Sequence, residues 1–165
     1  MADHVDLVLE QWRERRPDLD ASPMGIIGRL SRLSVLFDAE LRRNFGKYDL
    51  DRASFDVLAT LRRSNPEHSL TPAGLMRSSM VTSGAISQRL DRLEGRGLVT
   101  RAPSETDGRG VQVTLTAKGL ALIDKVLPTH VDTEAELLSG LSAAERDQLA
   151  GLLRSLLESL GDKRD

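Results

Sequence analysis

The stretch between residues 69 and 116 constrains the fold of this chain most strongly. It contains two short amphipathic segments, one from Leu70 to Met80 and one from Ser83 to Gly97, with a tight corner between them. At about 100° per residue, the apolar side chains of the second segment fall on one stripe. They are Ile86, Leu90 and Leu93. The sequence therefore predicts two helices joined by a turn, the second with one packed face and one free face.

The free face of the second segment is small and polar near its beginning. The candidate contact residues are Thr82, in the corner just before this segment, and Ser83, Gly84, Ser87 and Gln88 within it. A helix N-terminus carries free backbone N–H groups and the positive end of the helix dipole, so it favours a phosphate group. Small residues there allow the helix backbone to come close to a flat or grooved surface.

A β-hairpin is predicted directly after this helix. Gly95 and Gly97 end the helix, residues 98–101 have the composition of a short strand, and residues 111–116 alternate apolar with polar. The order helix, turn, helix, hairpin is that of a winged helix-turn-helix, whose second helix enters a DNA major groove. An arginine on the wing can reach a narrow minor groove. The candidate DNA contacts of the hairpin are Arg101, Asp107 and Arg109.

Composition excludes several other classes of protein. The 165 residues contain no cysteine, which rules out thiol redox sensing and cysteine-based metal sites. No run approaches the roughly 20 apolar residues that cross a membrane, so we expect a cytoplasmic protein. Only His130 and Glu134 have helical ligand spacing, and no nucleophile elbow, phosphate loop or catalytic carboxylate pair is present. We expect no enzyme activity, no cofactor and no metal site.

The charge is distributed unevenly along the chain. The net charge is −2, but residues 69–118 contain seven Lys/Arg against four Asp/Glu, a net of +3, and the rest carries 16 against 21, a net of −5. Positive charge concentrated on one lobe is typical of a nucleic-acid-binding surface, although a solvated face can show the same bias.

Helical patterns flank the central stretch on both sides. They run from Asp6 to Arg15, Met24 to Phe45, Ser54 to Arg63 and Ala117 to about Gly140, and a last helix follows a capping box of Ser142 and Glu145. The fold class is therefore mainly α with a small β-hairpin. The apolar stripes of the first long helix and the last helix exceed what one small domain buries. We therefore expect both helices to contribute to a dimer interface, and we divide the chain into three parts. Residues 1–48 contain the extra N-terminal helix and a first dimerisation helix. Residues 49–116 form the DNA-binding lobe, and residues 117–165 form the C-terminal dimerisation helices.

Two charged residues on the segment from Ser54 to Arg63 have two possible explanations. Asp56 and Arg63 lie seven residues apart on one helix face, too far for an ordinary i,i+4 pair, and the simplest interpretation is two solvated charges. Alternatively, they share a site with Arg89, which projects about 60° from the buried stripe of the second helix. Trp12, the single tryptophan, either anchors the N-terminal helix or covers a pocket.

The run DGRGVQVTLTAKG from Asp107, preceded by LDRLEGRGLVTR, resembles the wing and recognition helix of the MarR family of bacterial transcriptional regulators. The stretch ERRPDLDASPMGIIGRLSRL from Glu14 resembles the urate-responsive, PecS-like branch of that family. A signature of that branch is matched by Trp12, Asp56, Arg63 and Arg89. The resemblance implies a stacking role for the tryptophan, an anion-binding role for Arg63, and a link from Asp56 to Arg89 that connects ligand and recognition helix.

The resemblance also implies a function. We expect a homodimeric repressor that binds a pseudo-palindromic operator in double-stranded DNA and leaves it when a small anionic metabolite binds, either a urate-like purine or a small polycarboxylate. The alternatives are a winged-helix DNA-binding protein without a ligand and a helical protein-interaction adaptor.

Overall fold

The computed structural model describes residues 2–80, 86–103 and 110–162. Within these ranges the chain forms seven helices and three short strands. In chain order they are α1 (His4–Arg15), α2 (Ser22–Gly46), α3 (Arg52–Ser64), β1 (Ser69–Leu70), α4 (Pro72–Ser78), α5 (Ile86–Gly95), β2 (Val99–Pro103), β3 (Val111–Leu115), α6 (Ala117–Leu137) and α7 (Ala143–Ser159). The predicted fold class, mainly helical with a small hairpin, is confirmed.

Side-chain caps determine where most of the helices begin. A capping residue accepts hydrogen bonds from backbone N–H groups of the first turn, which have no partner inside the helix. The caps are Asp3 for α1, Asp51 for α3, Thr71 for α4, Thr116 for α6 and Ser142 for α7. The predicted capping box of Ser142 and Glu145 is present. These starts therefore follow from local sequence alone.

The end of α5 turns the chain sharply into the hairpin. Gly97 has a φ of 68°, a left-handed conformation that favours glycine. The Gly97 N–H donates to the Glu94 carbonyl at 2.8 Å and the Leu98 N–H donates to the Leu93 carbonyl at 2.9 Å. This pair of bonds is a Schellman motif, which satisfies the last carbonyls of the helix and directs the next residues into β2.

The same motif follows α2, with an aspartate in the glycine position. Asp49 has a φ of 53°, its N–H donates to the Gly46 carbonyl, and the Leu50 N–H donates to the Phe45 carbonyl at 3.1 Å. A left-handed non-glycine residue costs about 1 kcal/mol, and Asp tolerates it better than most residues. The sequence predicted a helix end at Gly46, which is confirmed, but not the left-handed turn three residues later.

The sheet contains a strand that the sequence did not predict. Its order is β1-β3-β2, all antiparallel, with Ser69 opposite Thr114 and Arg101 opposite Val113. The hydroxyls of Ser69 and Thr114 are 2.7 Å apart. β1 has only two residues, which is too short to show an alternating pattern.

The core surrounds α3. Every residue of this helix from Ser54 to Leu61 is buried, because α3 contacts α2, α4, α5, α6 and the sheet. Apolar residues from all of these elements fill the core, among them Phe45, Leu58, Leu61, Leu75, Leu93, Val113, Ile123 and Val126. Each such side chain stabilises the fold by about 1.5–3 kcal/mol through its removal from water. The first half of α6 thus belongs to the same core as α3, α4, α5 and the sheet.

The start of α6 lies unusually close to the beginning of the hairpin. A Cβ atom added to Gly119 would be 2.0 Å from the carbonyl oxygen of Leu98. That same oxygen accepts a hydrogen bond from the Thr116 N–H at 3.1 Å. The close approach therefore requires glycine at this position.

Outside the lobe, α2 and α7 leave large apolar side chains exposed. On α2 these include Met24, Ile26, Ile27, Val35 and Leu36, and on α7 they include Leu152, Leu156 and Leu157. No residue of α7 is buried within the single chain. Large apolar side chains exposed in this number are typical of a protein interface.

Candidate nucleic-acid interface and effector site

The two faces of α5 match the sequence prediction. Leu90 and Leu93 are buried and Ile86 packs against the core, whereas Ser87 and Gln88 are exposed on the free face. The predicted contacts Thr82, Ser83 and Gly84 lie outside the described residues, as do Asp107 and Arg109 in the hairpin tip. The structure thus presents a helix packed on one side and open on the other.

Between α4, α5 and the hairpin there is an open groove of about 580 Å³. Ser87 and Arg101 both line it, together with Pro72, Leu90, Ala102, Pro103, Gly110 and Val111. The exposed face of α5 and the base of the hairpin therefore belong to one continuous surface. This is the geometry that a winged helix presents to DNA.

Arg101 in β2 is tied to α5 by several charge-assisted bonds. Its guanidinium donates to the Glu94 carboxylate at 2.9 Å and 2.5 Å and lies 2.7 Å from the Asp91 carboxylate. Its backbone N–H donates to the other Glu94 oxygen at 3.1 Å. The hydrogen bonds with Arg101 lower the pKa of Glu94, and those with Glu94 and then Asp91 raise the pKa of Arg101.

The other flank of α5 is tied to the loop between α2 and α3. Arg89 and Arg92 each lie 3.7 Å from the Asp51 carboxylate. Burial of Asp51 opposes its ionisation most strongly, but hydrogen bonds from Ser54 and the charges of the two arginines outweigh it and lower the pKa of Asp51. One carboxylate thus caps α3 and binds two positive charges of α5.

Arg96 strengthens the same connection one turn further on. Its guanidinium donates to the Asp49 carbonyl at 2.6 Å and lies 3.4 Å from the Asp49 carboxylate. The left-handed conformation of Asp49 places both groups beside α5. The turn at the end of the long helix α2 is therefore connected directly to the end of α5.

Asp56 and Arg63 both hold the C-terminal end of α4. The buried Asp56 carboxylate accepts a hydrogen bond from the Met80 N–H at 3.0 Å, and the Arg63 guanidinium donates to the Ser78 carbonyl at 2.7 Å. Asp56 is 7% exposed, so its interpretation as a solvated charge is wrong. Helical periodicity does not show this burial, because α3 is covered on nearly all sides. Both contacts therefore fall within residues 78–80, shortly before α5 in the chain.

The predicted link between Asp56 and Arg89 requires correction. Among the described residues these two side chains form no ion pair, and the carboxylate beside Arg89 is that of Asp51. Asp51 reaches α5 because the left-handed turn at Asp49 brings the loop against that helix. Neither the position of Asp51 just before α3 nor the charge spacing on α5 indicates this ion pair in the sequence.

Trp12 lies on α1, which packs against α2, and its side chain remains 37% exposed. Asp56 and Arg63 lie on α3, so the predicted ligand residues are divided between two parts of the molecule. A groove of about 550 Å³ lies near α1, between α1, α2 and α7, with Arg13 and Arg29 in its wall. The lining residues of that groove do not include Trp12.

His130 belongs to an aromatic cluster rather than to a group of metal ligands. Its ring lies 4.5 Å from that of Phe55 and 5.3 Å from that of Phe45, and its Nε2 is 3.3 Å from Glu134. In residues 2–80, 86–103 and 110–162, no three potential ligands form a metal-binding group. The helices in the same ranges are all too short or too polar to span a bilayer.

Comparison with known proteins gives consistent matches. Residues 48–110 match the MarR family. The chain is 41% identical over 160 residues to the HTH-type transcriptional regulator PecS of Dickeya dadantii, covering 97% of this chain and 96% of that protein. A mutant of Escherichia coli MarR solved in complex with operator DNA has a TM-score of 0.71 at 30% identity, covering 88% and 97% of the two chains. The Bordetella bronchiseptica protein BpsR, whose DNA binding is regulated by 6-hydroxynicotinic acid, also has a TM-score of 0.71, at 26% identity, covering 78% and 90%.

Proposed function

Since this chain belongs to the MarR family of transcriptional regulators, we propose that it is a homodimeric repressor that leaves its operator when a small anionic ligand binds. It acts in the cytoplasm, on double-stranded DNA, and has no catalytic role. The observation that carries the proposal is the free face of α5, which lies beside the base of the hairpin and is fixed from both flanks by ion pairs.

DNA recognition is assigned to the free face of α5 and the tip of the hairpin. Ser87 and Gln88 are exposed where base edges of a major groove would lie, and a glutamine can pair with an adenine through two hydrogen bonds. We assign Thr82, Ser83 and Gly84 to the adjacent phosphate, and Asp107 and Arg109 to the wing contact in the minor groove.

Dimerisation is assigned to the two ends of the chain. The exposed apolar side chains of α2 and α7 would be removed from water by a second copy of the same surface. Two recognition helices related by a two-fold axis meet successive major grooves, so the operator is pseudo-palindromic with half-site centres about 10 bp apart.

The effector site is assigned to Asp56 and Arg63, with Trp12 and Arg89 as further candidates. An anion bound by Arg63 would compete with the Ser78 carbonyl for the guanidinium and would repel the buried Asp56. Both effects act on the end of α4, which is the helix before α5 in the chain. A ligand that prefers the displaced arrangement lowers DNA affinity by its differential affinity for the two states.

The chemistry of this site favours a small acid with several oxygen atoms. A guanidinium binds carboxylates or a urate-like purine anion through parallel hydrogen bonds. The regulation of BpsR by 6-hydroxynicotinic acid supports a small ligand of this type for the family. Asp51, which the structure places beside Arg89, transmits the displacement to the far flank of α5 in this proposal.

The test is selection of a duplex from a randomised DNA library, followed by titration of the selected duplex with urate, citrate and 6-hydroxynicotinate present in turn. We expect one pseudo-palindromic sequence, a 2:1 protein-to-duplex ratio, and release by at least one of the acids. Absence of any selected sequence would contradict the assignment of α5, and release by none of the acids would contradict the ligand class.

A further inference from the structure

Arg101 was expected to contact DNA, but its surroundings indicate another role. Arg101 donates hydrogen bonds to both oxygens of the Glu94 carboxylate. The Arg101 backbone N–H donates to one oxygen at 3.1 Å, and the Arg101 guanidinium donates to the other at 2.9 Å and 2.5 Å. The Asp91 carboxylate takes a further contact at 2.7 Å. Side chain and backbone of one hairpin residue are thus both fixed to the recognition helix.

The local charge opposes a phosphate contact. One guanidinium faces two carboxylates, so the cluster of Arg101, Asp91 and Glu94 carries a formal charge of −1. A DNA phosphate that approached the guanidinium would bring a third anion against two existing ones, which is electrostatically unfavourable. Arg101 would have to leave its present partners in order to bind DNA.

The positions of the partners make the cluster a brace between two rigid elements. Asp91 and Glu94 are three residues apart on α5 and therefore lie on one face of it. Arg101 is opposite Val113 in the sheet, and Val113 is fully buried in the core. The two carboxylates on α5 and the one arginine on the hairpin determine the angle between α5 and the hairpin, because the planar guanidinium forms its hydrogen bonds in one geometry.

We propose that Arg101 is a positioning residue: held by Asp91 and Glu94, it sets the angle of the hairpin against α5 and thereby lets helix and wing reach their two grooves together. The proposal deepens the function proposed above and rests on it. It assigns to these three residues a share of sequence specificity without any contact of their own to DNA.

The experiment compares affinity for the duplex selected by the wild-type protein with affinity for a scrambled duplex of the same length and composition. Both are titrated over a range of salt concentrations. The variants are Arg101→Gln, Arg101→Lys and the double variant Asp91→Asn/Glu94→Gln. The matched control is Arg16→Gln, which removes another arginine with two hydrogen bonds to one carboxylate, that of Asp18, in the connection between α1 and α2.

If Arg101 is a brace, all three cluster variants lower the ratio of specific to non-specific affinity, by about tenfold, while the slope of log affinity against log salt stays at the wild-type value. Arg101→Lys also lowers the ratio, because a lysine supplies a positive charge without the planar set of N–H donors that a guanidinium has. The Arg16→Gln protein keeps the wild-type ratio. Thermal unfolding of each variant confirms that the folded protein is being compared.

If Arg101 instead contacts a phosphate, Arg101→Gln weakens both duplexes equally and lowers the salt slope by about one, and Arg101→Lys retains most of the wild-type affinity. The double carboxylate variant then binds more tightly without loss of specificity. Either that pattern or wild-type ratios in all variants would overturn the proposal. A wild-type protein that selects no duplex would contradict the proposed function itself, which is a separate result.

Discussion

Substitution of Gly119 by alanine tests the closest approach between two elements of the lobe. The added Cβ would lie 2.0 Å from the Leu98 oxygen, 2.9 Å from its carbonyl carbon and 3.2 Å from the Leu115 side chain. Both nearest atoms belong to the backbone, so no side-chain rotation relieves the clash. The first turn of α6 or the start of β2 must move by about 1 Å, which is overpacking of a kind that costs about 1–3 kcal/mol.

Two further contributions enter the estimate. The movement weakens the hydrogen bond from the Thr116 N–H to the Leu98 carbonyl, worth about 1 kcal/mol, whereas alanine favours a helix over glycine by about the same amount. These two contributions cancel, so we expect the Gly119→Ala protein to lose about 1–3 kcal/mol of unfolding free energy, which lowers its Tm by roughly 2–12 °C.

Thermal and urea unfolding at a fixed protein concentration measure this loss, because the stability of a dimer depends on concentration. The control is Gly95→Ala in α5, where an added Cβ has nothing within 4 Å and where we expect a change between zero and a gain of about 1 kcal/mol. Equal Tm values for the two variants would show that the close approach at Gly119 does not constrain the fold.

Four further outcomes are expected. Arg63→Ala should abolish ligand release and also weaken operator binding, because the bond to the Ser78 carbonyl is lost together with the anion contact, and Arg62→Ala, which removes only the pair with Asp124, should leave both unchanged in the same titration. Asp51→Ala should weaken operator binding and lower the free energy of unfolding by about 1 kcal/mol, because the cap of α3 and two ion pairs are lost together. Leu152→Glu should convert the dimer to monomer at micromolar concentration in light scattering, and an unchanged mass would contradict the assigned interface. Since its pKa is lowered by Arg101, Glu94 should stabilise the fold above about pH 4.5 and lose this effect as the pH falls through its lowered pKa, so Glu94→Gln should reduce the acid sensitivity of the Tm.

The sequence predicted the parts of this fold that depend on local chemistry. The helix starts at Thr116 and Ser142, the helix end before Gly97 and the alternating strand after Gly110 all follow from caps, turns and periodicity. β1 was missed because two residues have no period, and its pairing depends on a contact with Thr114, which is 45 residues away from Ser69.

The functional site was predictable to a smaller extent. The free and packed faces of α5 follow from helical periodicity, but the ion pairs on its flanks do not, since they depend on how the loop after α2 turns. Asp49 adopts a left-handed conformation although it is not a glycine, and this places Asp51 beside Arg89. The burial of Asp56 could not be foreseen because it results from several elements packing around α3 at once.

Pro128 divides α6 into two segments with different surroundings. The first contains the buried Gly119, Ile123 and Val126, whereas residues 129–137 are half-buried or exposed in the single chain. Proline has no N–H group, so the helix lacks one of its regular hydrogen bonds at this point. In the monomer, amide hydrogens before Pro128 should therefore exchange with solvent only through unfolding of the whole lobe, and those after it through a smaller local opening. Within α6, assembly of the dimer would then slow the amide exchange of residues 129–137 but not that of the residues before Pro128.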